Sequence, residues 1–356
     1  MLYKRRMRQS LMVVSCLLLG SMCGRAYGAV AMLLEQPYGS FGAMNPTGHA
    51  AVYLSRVCAE TPTRLRMCHT GEYGVVISRY HRVQGYDWLA IPLIPYLYAV
   101  EDERDIRPWV DVEDVADLRN EYRKKYLRDL APDVPGQEVP GGDWTQLIGS
   151  AFDRTIYGFE MNTTVEQDER LIALLNDRRN SAQFNLFFKN CADFSKMVLN
   201  TYFPHAVHKN YIADVGLTTP KQVAKSLVKY GKKHPELEAR EFVIPQVDGL
   251  VARSHDVKGV TESLIKSKKY LVPMVILTPH FTAGVVAAYF VNGRLDMPKT
   301  APVFDVSVAK VEGEAPAVRD FVMDDEIRLP GEVTAETRRE LGPFVMPAAA
   351  LVEAGN

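Results

Sequence analysis

The sequence predicts an α+β fold, and two observations support this prediction. Segments rich in Val, Ile, Tyr and Leu, residues 47–57 and 73–83, lie close together early in the chain and have the character of strands. Helical patterns then follow one another from about residue 111 onward and outnumber the strands. Because strands and helices are segregated along the chain, we expect a sheet with helices packed on it.

The N-terminal residues have the pattern of a secretory signal. A basic stretch precedes the apolar residues 10–23, and small residues allow cleavage after Gly28 or Ala31. The apolar run is short for a membrane span, which favours a cleaved signal over an uncleaved anchor. We therefore expect residues 1–28 to be a signal peptide, and the mature protein to be exported to the periplasm or cell envelope.

Removal of this signal makes the chain acidic. Residues 1–28 hold five basic residues and no acid, so the formal net charge falls from −1 to −6. An acidic chain offers no broad basic surface, so nucleic acid is not expected as a partner. Cys16 loosely fits a lipoprotein signal, but apolar residues continue past it.

The cysteines fit an oxidising compartment. Cys16 and Cys23 leave with the signal, and Cys58, Cys68 and Cys191 remain. Cys58 and Cys68 bracket a short polar loop, so we predict a disulfide between them; two free buried thiols are the alternative. Cys191 is then left unpaired, and an odd thiol in an exported protein is a candidate reactive group.

Residues 47–57 and 73–83, joined by this loop, are expected to pair as an antiparallel hairpin. Residues 87–101 follow and are strongly apolar, but Pro92 and Pro95 interrupt them. We interpret this segment as either a buried extended element or a membrane-facing loop.

Four helices are predicted from apolar spacing and from their start and stop signals. They cover residues 111–130 with Asp111 as N-cap, 163–179 with Thr164 near the start, 191–203 ended by Pro204, and 218–233 with Thr219 as cap and Pro220 in the first helical position.

The C-terminal part contains a second apolar segment. Residues 270–291 carry no formal charge and are long enough to cross a membrane, but Pro273, Pro279 and the preceding lysines argue against a simple span. The segment is thus either a transmembrane anchor that associates the chain with a membrane or a buried hydrophobic element. It belongs to an extension, residues 246–297, and residues 298–356 are predicted to be a flexible tail.

Two residues are candidates for nucleophilic chemistry. Cys191 stands where a helix begins, and the N–H groups of a helix start favour a thiolate and can hold an oxyanion. A buried structural cysteine is the alternative. His49 heads the first predicted strand, which would hold an imidazole base in a fixed direction. A histidine at an exposed strand edge is the alternative there.

The motifs "GHAAVYL" at residues 48–54 and "NCADFSKMV" at residues 190–198 resemble the circularly permuted NlpC-type papain-like cysteine hydrolase superfamily, in which the His strand precedes the Cys helix. The lecithin:retinol acyltransferase-like proteins and the Lnb-type N-terminal periplasmic domain share that order. The resemblance rests on these two short motifs. It implies a permuted papain-like domain over residues 32–245, with an antiparallel sheet packed on the Cys-bearing helix and with helical insertions.

By this resemblance Cys191 would attack an acyl carbon and His49 would accept its proton. A third polar residue on the adjacent strand would orient the imidazole, and Ser78, Tyr80 and His81 are within reach of an antiparallel partner strand. His81 is the predicted third residue, although a register difference of one residue would turn it away.

The expected function is that of an exported thiol hydrolase or acyltransferase, acting on an envelope peptide amide or a lipid-linked acyl group. The alternative is a non-catalytic binding or assembly module of the cell envelope. No cofactor and no metal are expected, because the Cys and His residues match no compact zinc spacing.

Overall fold

The computed structural model describes residues 28–311, except for residues 40–45, 82, 182–183 and 186–187. The expected signal peptide and residues 312–356 of the expected tail lie outside the described residues. The strands are β1 Gly28–Glu35, β2 His49–Leu54, β3 Val57–Thr61, β4 Arg64–Met67, β5 Val75–Ser78, β6 Leu89–Pro92, β7 Trp109–Val110, β8 Ile156–Thr163, β9 Arg240–Ile244 and β10 Asp248–Gly249. Six of them form one sheet in the order β6-β5-β2-β1-β8-β9, and every neighbouring pair is antiparallel.

The helices begin where the capping residues predict. They are α1 Leu93–Tyr98, α2 Val112–Tyr126, α3 Ser150–Asp153, α4 Val165–Asn176, α5 Cys191–Tyr202, α6 Pro220–Gly231, α7 Val260–Ile265, α8 Lys268–Leu277 and α9 Pro279–Ala288. The side chains of Asp111, Thr164 and Thr219 each accept a hydrogen bond from the backbone N–H three residues later. The predicted starts of α2, α4, α5 and α6 are therefore confirmed.

The sheet separates two hydrophobic cores, and the α+β class is confirmed. Along β2 the side chains alternate, so that Ala50, Val52 and Leu54 belong to one core, and Ala51 and Tyr53 to the other. The first core is covered by α4, α5 and α6, and the second by α1, α2 and α3. The Cys-bearing helix α5 thus packs on one face of an antiparallel sheet.

The predicted pairing of the two early strands is confirmed, but their connection is more elaborate than a loop. β2 and β5 pair antiparallel, and between them β3 and β4 form a separate hairpin. The predicted disulfide joins Cys58 to Cys68, with their Cα atoms 4.9 Å apart.

The strand β1 is not among those predicted from the sequence, and its first four residues, 28–31, belong to the expected end of the signal and its cleavage site. It lies in the middle of the sheet between β2 and β8, and Val30 and Ala31 are fully buried. Cleavage after Gly28 leaves this strand nearly whole, whereas cleavage after Ala31 would remove half of it.

The apolar segments differ from their expected forms. Residues 87–101 are buried, as one alternative held, but they form β6 and the short helix α1. Residues 270–291 form the two helices α8 and α9, most of whose large side chains are exposed, so the buried alternative is wrong. None of the helices in the described part of the chain has the length and apolar character needed to cross a bilayer.

The first part of the expected flexible tail is packed against the sheet. The Phe304 N–H donates to Val243 O of β9 at 2.9 Å, and the Phe304 ring lies 4.6 Å from that of Phe242. The Val311 N–H donates to Glu72 O at 2.8 Å. The expectation of a flexible tail therefore does not hold for residues 298–311.

Candidate functional site

Cys191 occupies the first position of α5, where the sequence predicts it. Asn190 is the N-cap: its Oδ1 accepts from the Asp193 N–H at 2.9 Å, and its Nδ2 donates to Thr218 O at 3.1 Å. The Arg79 guanidinium, paired with Asp87 at 2.6 Å, also donates to Asn190 O at 3.4 Å. These bonds fix the helix start against two other parts of the chain.

The thiol is held as a neutral group in the resting protein. The pKa of Cys191 is raised to about 11, mainly by burial, and the Glu35 carboxylate acts in the same direction. The backbone N–H groups of Ala50, Ala192 and Cys191 itself act in the opposite direction. The helix start therefore provides the expected N–H groups, but loss of water around the sulfur outweighs them, and the expected resting thiolate is not supported.

His49 is the first residue of β2, and Ser78 of β5 holds its ring. The Ser78 hydroxyl donates to Ala50 O at 2.7 Å, and Ser78 Oγ lies 2.9 Å from His49 Nε2. Since a hydroxyl has a single hydrogen, Ser78 Oγ must accept the bond from the imidazole. This places the ring proton on Nε2 and leaves Nδ1 as the basic nitrogen.

The structure places Ser78 at the position for which His81 was predicted. Side chains alternate along β5, so Ser78 and Tyr80 face the side of His49, and the Tyr80 ring stacks on the imidazole with centroids 5.2 Å apart. His81 points elsewhere: its Nδ1 pairs with Asp143 at 2.9 Å, and its side chain is 44% exposed. The prediction of His81 as the orienting residue is therefore wrong: β5 ends at Ser78, and His81 lies three residues past the end of the strand.

His49 is also neutral. Burial lowers its pKa from 6.5 to about 4, the nearby Glu35 carboxylate raises it, and the Arg154 guanidinium lowers it. A protonated imidazole would need a compensating partner in this environment, so the ring is poised to accept a proton only when a negative group forms beside it.

A buried ion pair lies next to His49. Arg154 Nη1 lies 3.0 Å from Glu35 Oε2, and both side chains are at most 5% exposed. Ser150 Oγ donates to the same carboxylate at 3.1 Å, and the Tyr96 hydroxyl donates to its other oxygen. Glu35 faces His49 across the β1–β2 pair. This carboxylate therefore sets the local field around the imidazole.

Cys191 and His49 approach the same end of β2. The thiol interacts with the N–H of Ala50, the residue directly after His49. Burial raises the pKa of Tyr80, as do the negative charges of Glu35 and of ionised Cys191. The sulfur thus lies within electrostatic reach of the two groups that flank the imidazole.

Nothing in the sequence singles out Glu35, Arg154 or Tyr96 as residues of the site. The available signal is a single acid at the end of the apolar run "GAVAMLLE", residues 28–35, of which only the first residues belong to the expected signal and its cleavage site. Among the residues that the structure describes, one group has metal-ligand spacing, namely Cys58, Cys68 and Glu72, and its two sulfurs are bonded to each other.

The comparisons with known proteins add no family to this geometry. No protein-family model matches the chain, and no curated protein and no solved structure matches it.

Proposed function

We propose that this protein is a thiol hydrolase or acyltransferase of the cell envelope, with a permuted papain-like core and with Cys191 and His49 as its reacting pair. The observation that carries the proposal is the hydrogen bonding of Ser78, which leaves Nδ1 of His49 as the basic nitrogen, and the next residue of that strand, Ala50, lowers the pKa of the Cys191 thiol through its backbone N–H. The substrate class is a peptide amide or a lipid-linked acyl group.

The reaction begins with a tetrahedral adduct of the thiol and the acyl group, which becomes a thioester when the leaving group departs. Cys191 Sγ attacks the acyl carbon while its proton passes to His49 Nδ1, and the carbonyl electron pair moves onto oxygen. The N–H groups at the start of α5 are suited to hold that oxyanion. Because both groups are neutral at rest, proton transfer accompanies the attack instead of preceding it.

The second half of the reaction releases the leaving group. His49 returns the proton to the leaving amine or alkoxide as the C–N or C–O bond breaks. Water then attacks the thioester in a hydrolase, and an acceptor hydroxyl or amine does so in an acyltransferase. In each case the imidazole takes the proton of the attacking group, and the thiol is regenerated.

The test is acylation of the mature protein by p-nitrophenyl acetate, followed by nitrophenolate release and peptide mapping of the acetyl group. We expect the label on Cys191 in the wild type and its loss in Cys191→Ala. His49→Gln should slow acylation by about 10²- to 10⁴-fold, since it removes the general base. Ser78→Ala should slow it by roughly tenfold, the equivalent of one hydrogen bond.

The matched control is His81→Gln, which removes the other histidine near this strand and should acylate at the wild-type rate. Acylation of Cys191 that is indifferent to His49→Gln in a folded variant would refute the proposed pair. Equal effects of Ser78→Ala and His81→Gln would refute the assignment of Ser78.

One observation favours the non-catalytic alternative, a binding or assembly module of the envelope. The Cys191 thiol is only 9% exposed and its pKa is raised, as in a structural cysteine. This alternative predicts no acetyl label on Cys191 in the wild type at any pH where the fold is intact.

A further inference from the structure

Residues 268–293 form a helical hairpin whose two ends lie against α7. Thr278 ends α8 and caps α9, so the chain turns sharply between two helices of ten residues. The return is fixed at α7, where Tyr289 Oη lies 3.5 Å from Glu262 Oε1 and the Lys266 ammonium lies over the Tyr289 ring at 5.9 Å. The chain therefore leaves α7 along α8 and comes back to it along α9.

The hairpin presents large apolar side chains to the surroundings. At its turn Ile276, Leu277 and Phe281 are 72%, 77% and 63% exposed. Phe290 and Val291, on the returning end, are exposed as well. A continuous apolar surface of this kind is unfavourable in water and marks a site that another apolar phase covers.

The charged residues that flank the hairpin indicate what covers its apolar surface. The sequence has no Asp or Glu between residues 263 and 295, and the uncharged stretch from 270 to 293 is bounded by Lys268 and Lys269 before it and by Arg294 after it. Tyr270 and Phe290 lie beside these cations, as aromatic residues do at a membrane interface. Cations at the base and apolar residues at the tip complement an anionic lipid surface.

We infer that residues 268–293 dock this protein on an anionic lipid bilayer, with the tip of the hairpin inserted into one leaflet. Each ten-residue helix is about 15 Å long, which is half of the roughly 30 Å hydrocarbon core. The hairpin can thus enter one leaflet, whereas neither helix is long enough to cross the whole bilayer.

The two threonines of the turn bond their N–H and hydroxyl groups within the hairpin, which lowers the cost of inserting the turn into hydrocarbon. The Thr278 N–H and hydroxyl both donate to Met274 O, at 2.9 and 3.1 Å. The Thr282 N–H and hydroxyl both donate to Thr278 O, each at 2.9 Å. Pro279 follows the turn and has no N–H to leave unpaired.

The hairpin is coupled to the start of the Cys191 helix. The Lys221 ammonium of α6 pairs with Glu262 of α7 at 2.6 Å, and both side chains are buried. The Val260 N–H donates to Asp214 Oδ1 at 3.1 Å, in the same loop whose Thr218 O accepts from Asn190. Docking would therefore bring Cys191 near the lipid surface; only this last step rests on the proposed function, and there it favours a lipid-linked acyl substrate.

The experiment is flotation of the mature protein with vesicles of phosphatidylcholine, with and without phosphatidylglycerol. We expect binding to the anionic vesicles and weak binding to the neutral ones. Ile276→Glu should weaken binding by about 100-fold, because a charge at depth in hydrocarbon is costly. Leu250→Glu is the matched control, since Leu250 is equally exposed at 72% but lies outside the hairpin, and it should bind as the wild type does.

A second pair of variants tests the cations. Changing Lys268 and Lys269 together to Glu should weaken binding to anionic vesicles by at least about tenfold. The same change at Lys232 and Lys233, another exposed pair of adjacent lysines, should have little effect.

Three outcomes would overturn the inference. One is absence of vesicle binding by the folded wild type, and another is binding that Ile276→Glu and Leu250→Glu affect equally. The third is concentration-dependent dimerisation without vesicles that Ile276→Glu abolishes, which would make a second copy the occupant. Cys191→Ala should bind vesicles as the wild type does, so that failure of the proposed chemistry and failure of docking can be told apart.

Discussion

At the scale of the residue, His49 is a base whose proton affinity is set by burial. Its Nε2–H is committed to Ser78, and its pKa lies near 4 because the charged ring would lose its water. Ser78 thereby determines which ring nitrogen is left without a proton, while the Glu35–Arg154 pair has opposing electrostatic effects on the pKa of His49. The orientation of the His49 ring thus comes from Ser78, whereas its pKa comes from burial and from the Glu35–Arg154 pair.

This burial predicts a pH-dependent stability. Above pH 6.5 His49 is neutral in both the folded and the unfolded chain. Burial of the ring then has no effect on the pH dependence of the free energy of unfolding. Between pH 6.5 and about 4 the unfolded chain binds a proton that the folded chain does not, so the free energy of unfolding falls as the pH falls, by up to roughly 3 kcal/mol from this residue. Urea denaturation of the wild type and of His49→Gln from pH 4 to 7 measures the difference.

His81→Gln is the control for this experiment, because it removes an exposed histidine and should retain the slope due to His49. If the wild type and His49→Gln lose stability in parallel as the pH falls, His49 is not buried as a neutral group.

At the scale of the element, the entry of β2 depends on a glycine. Gly48 has φ +72°, and a Cβ there would lie 2.1 Å from Glu35 O, a backbone atom that cannot rotate away. Glu35 is also the β1 residue that faces His49 in the register. The close approach of β1 at this point fixes the backbone directly before His49.

Gly48→Ala should therefore destabilise the fold by more than the cost of placing an alanine at a positive φ. Gly71 offers the comparison, because its φ is +86° and a Cβ there would meet nothing within 4 Å. We expect Gly71→Ala to cost about 1–2 kcal/mol of unfolding free energy and Gly48→Ala distinctly more, with slower acylation of Cys191 as well. The measurement is thermal or urea denaturation of both variants. Equal losses of unfolding free energy in Gly48→Ala and Gly71→Ala would show that β1 moves away to make room for the Cβ at residue 48.

At the scale of the whole molecule, the disulfide acts on the unfolded chain. Cys58 and Cys68 are separated by ten positions and close the β3–β4 hairpin. Closing a loop of that length in the unfolded chain is worth about 3 kcal/mol. The hairpin lies on the core that α5 covers, since Val57 and Leu65 belong to it.

Cys58→Ala combined with Cys68→Ala should lower the free energy of unfolding by about this amount. In urea denaturation, dithiothreitol should destabilise the wild type and leave the double variant unchanged. A double variant that dithiothreitol still destabilises would require a disulfide between Cys191, the cysteine that remains in the mature chain, and a second molecule.

The sequence by itself determined the local features of this protein. The starts of α2, α4, α5 and α6 follow from residues such as Asp111 and Thr219, because a cap bonds to N–H groups only three residues away. The short loop between Cys58 and Cys68, and the position of Cys191 on the first turn of α5, are local in the same way.

The tertiary structure alone decided which side chains meet. Choosing Ser78 over His81 requires knowing where β5 ends and how it pairs with β2, and the sequence leaves both open. The membership of β1 in the sheet, and hence the Glu35–Arg154 pair beside His49, depends on partners more than a hundred residues away. Burial then reversed the expected ionisation of Cys191, because desolvation depends on all that surrounds the sulfur and not on the helix that carries it.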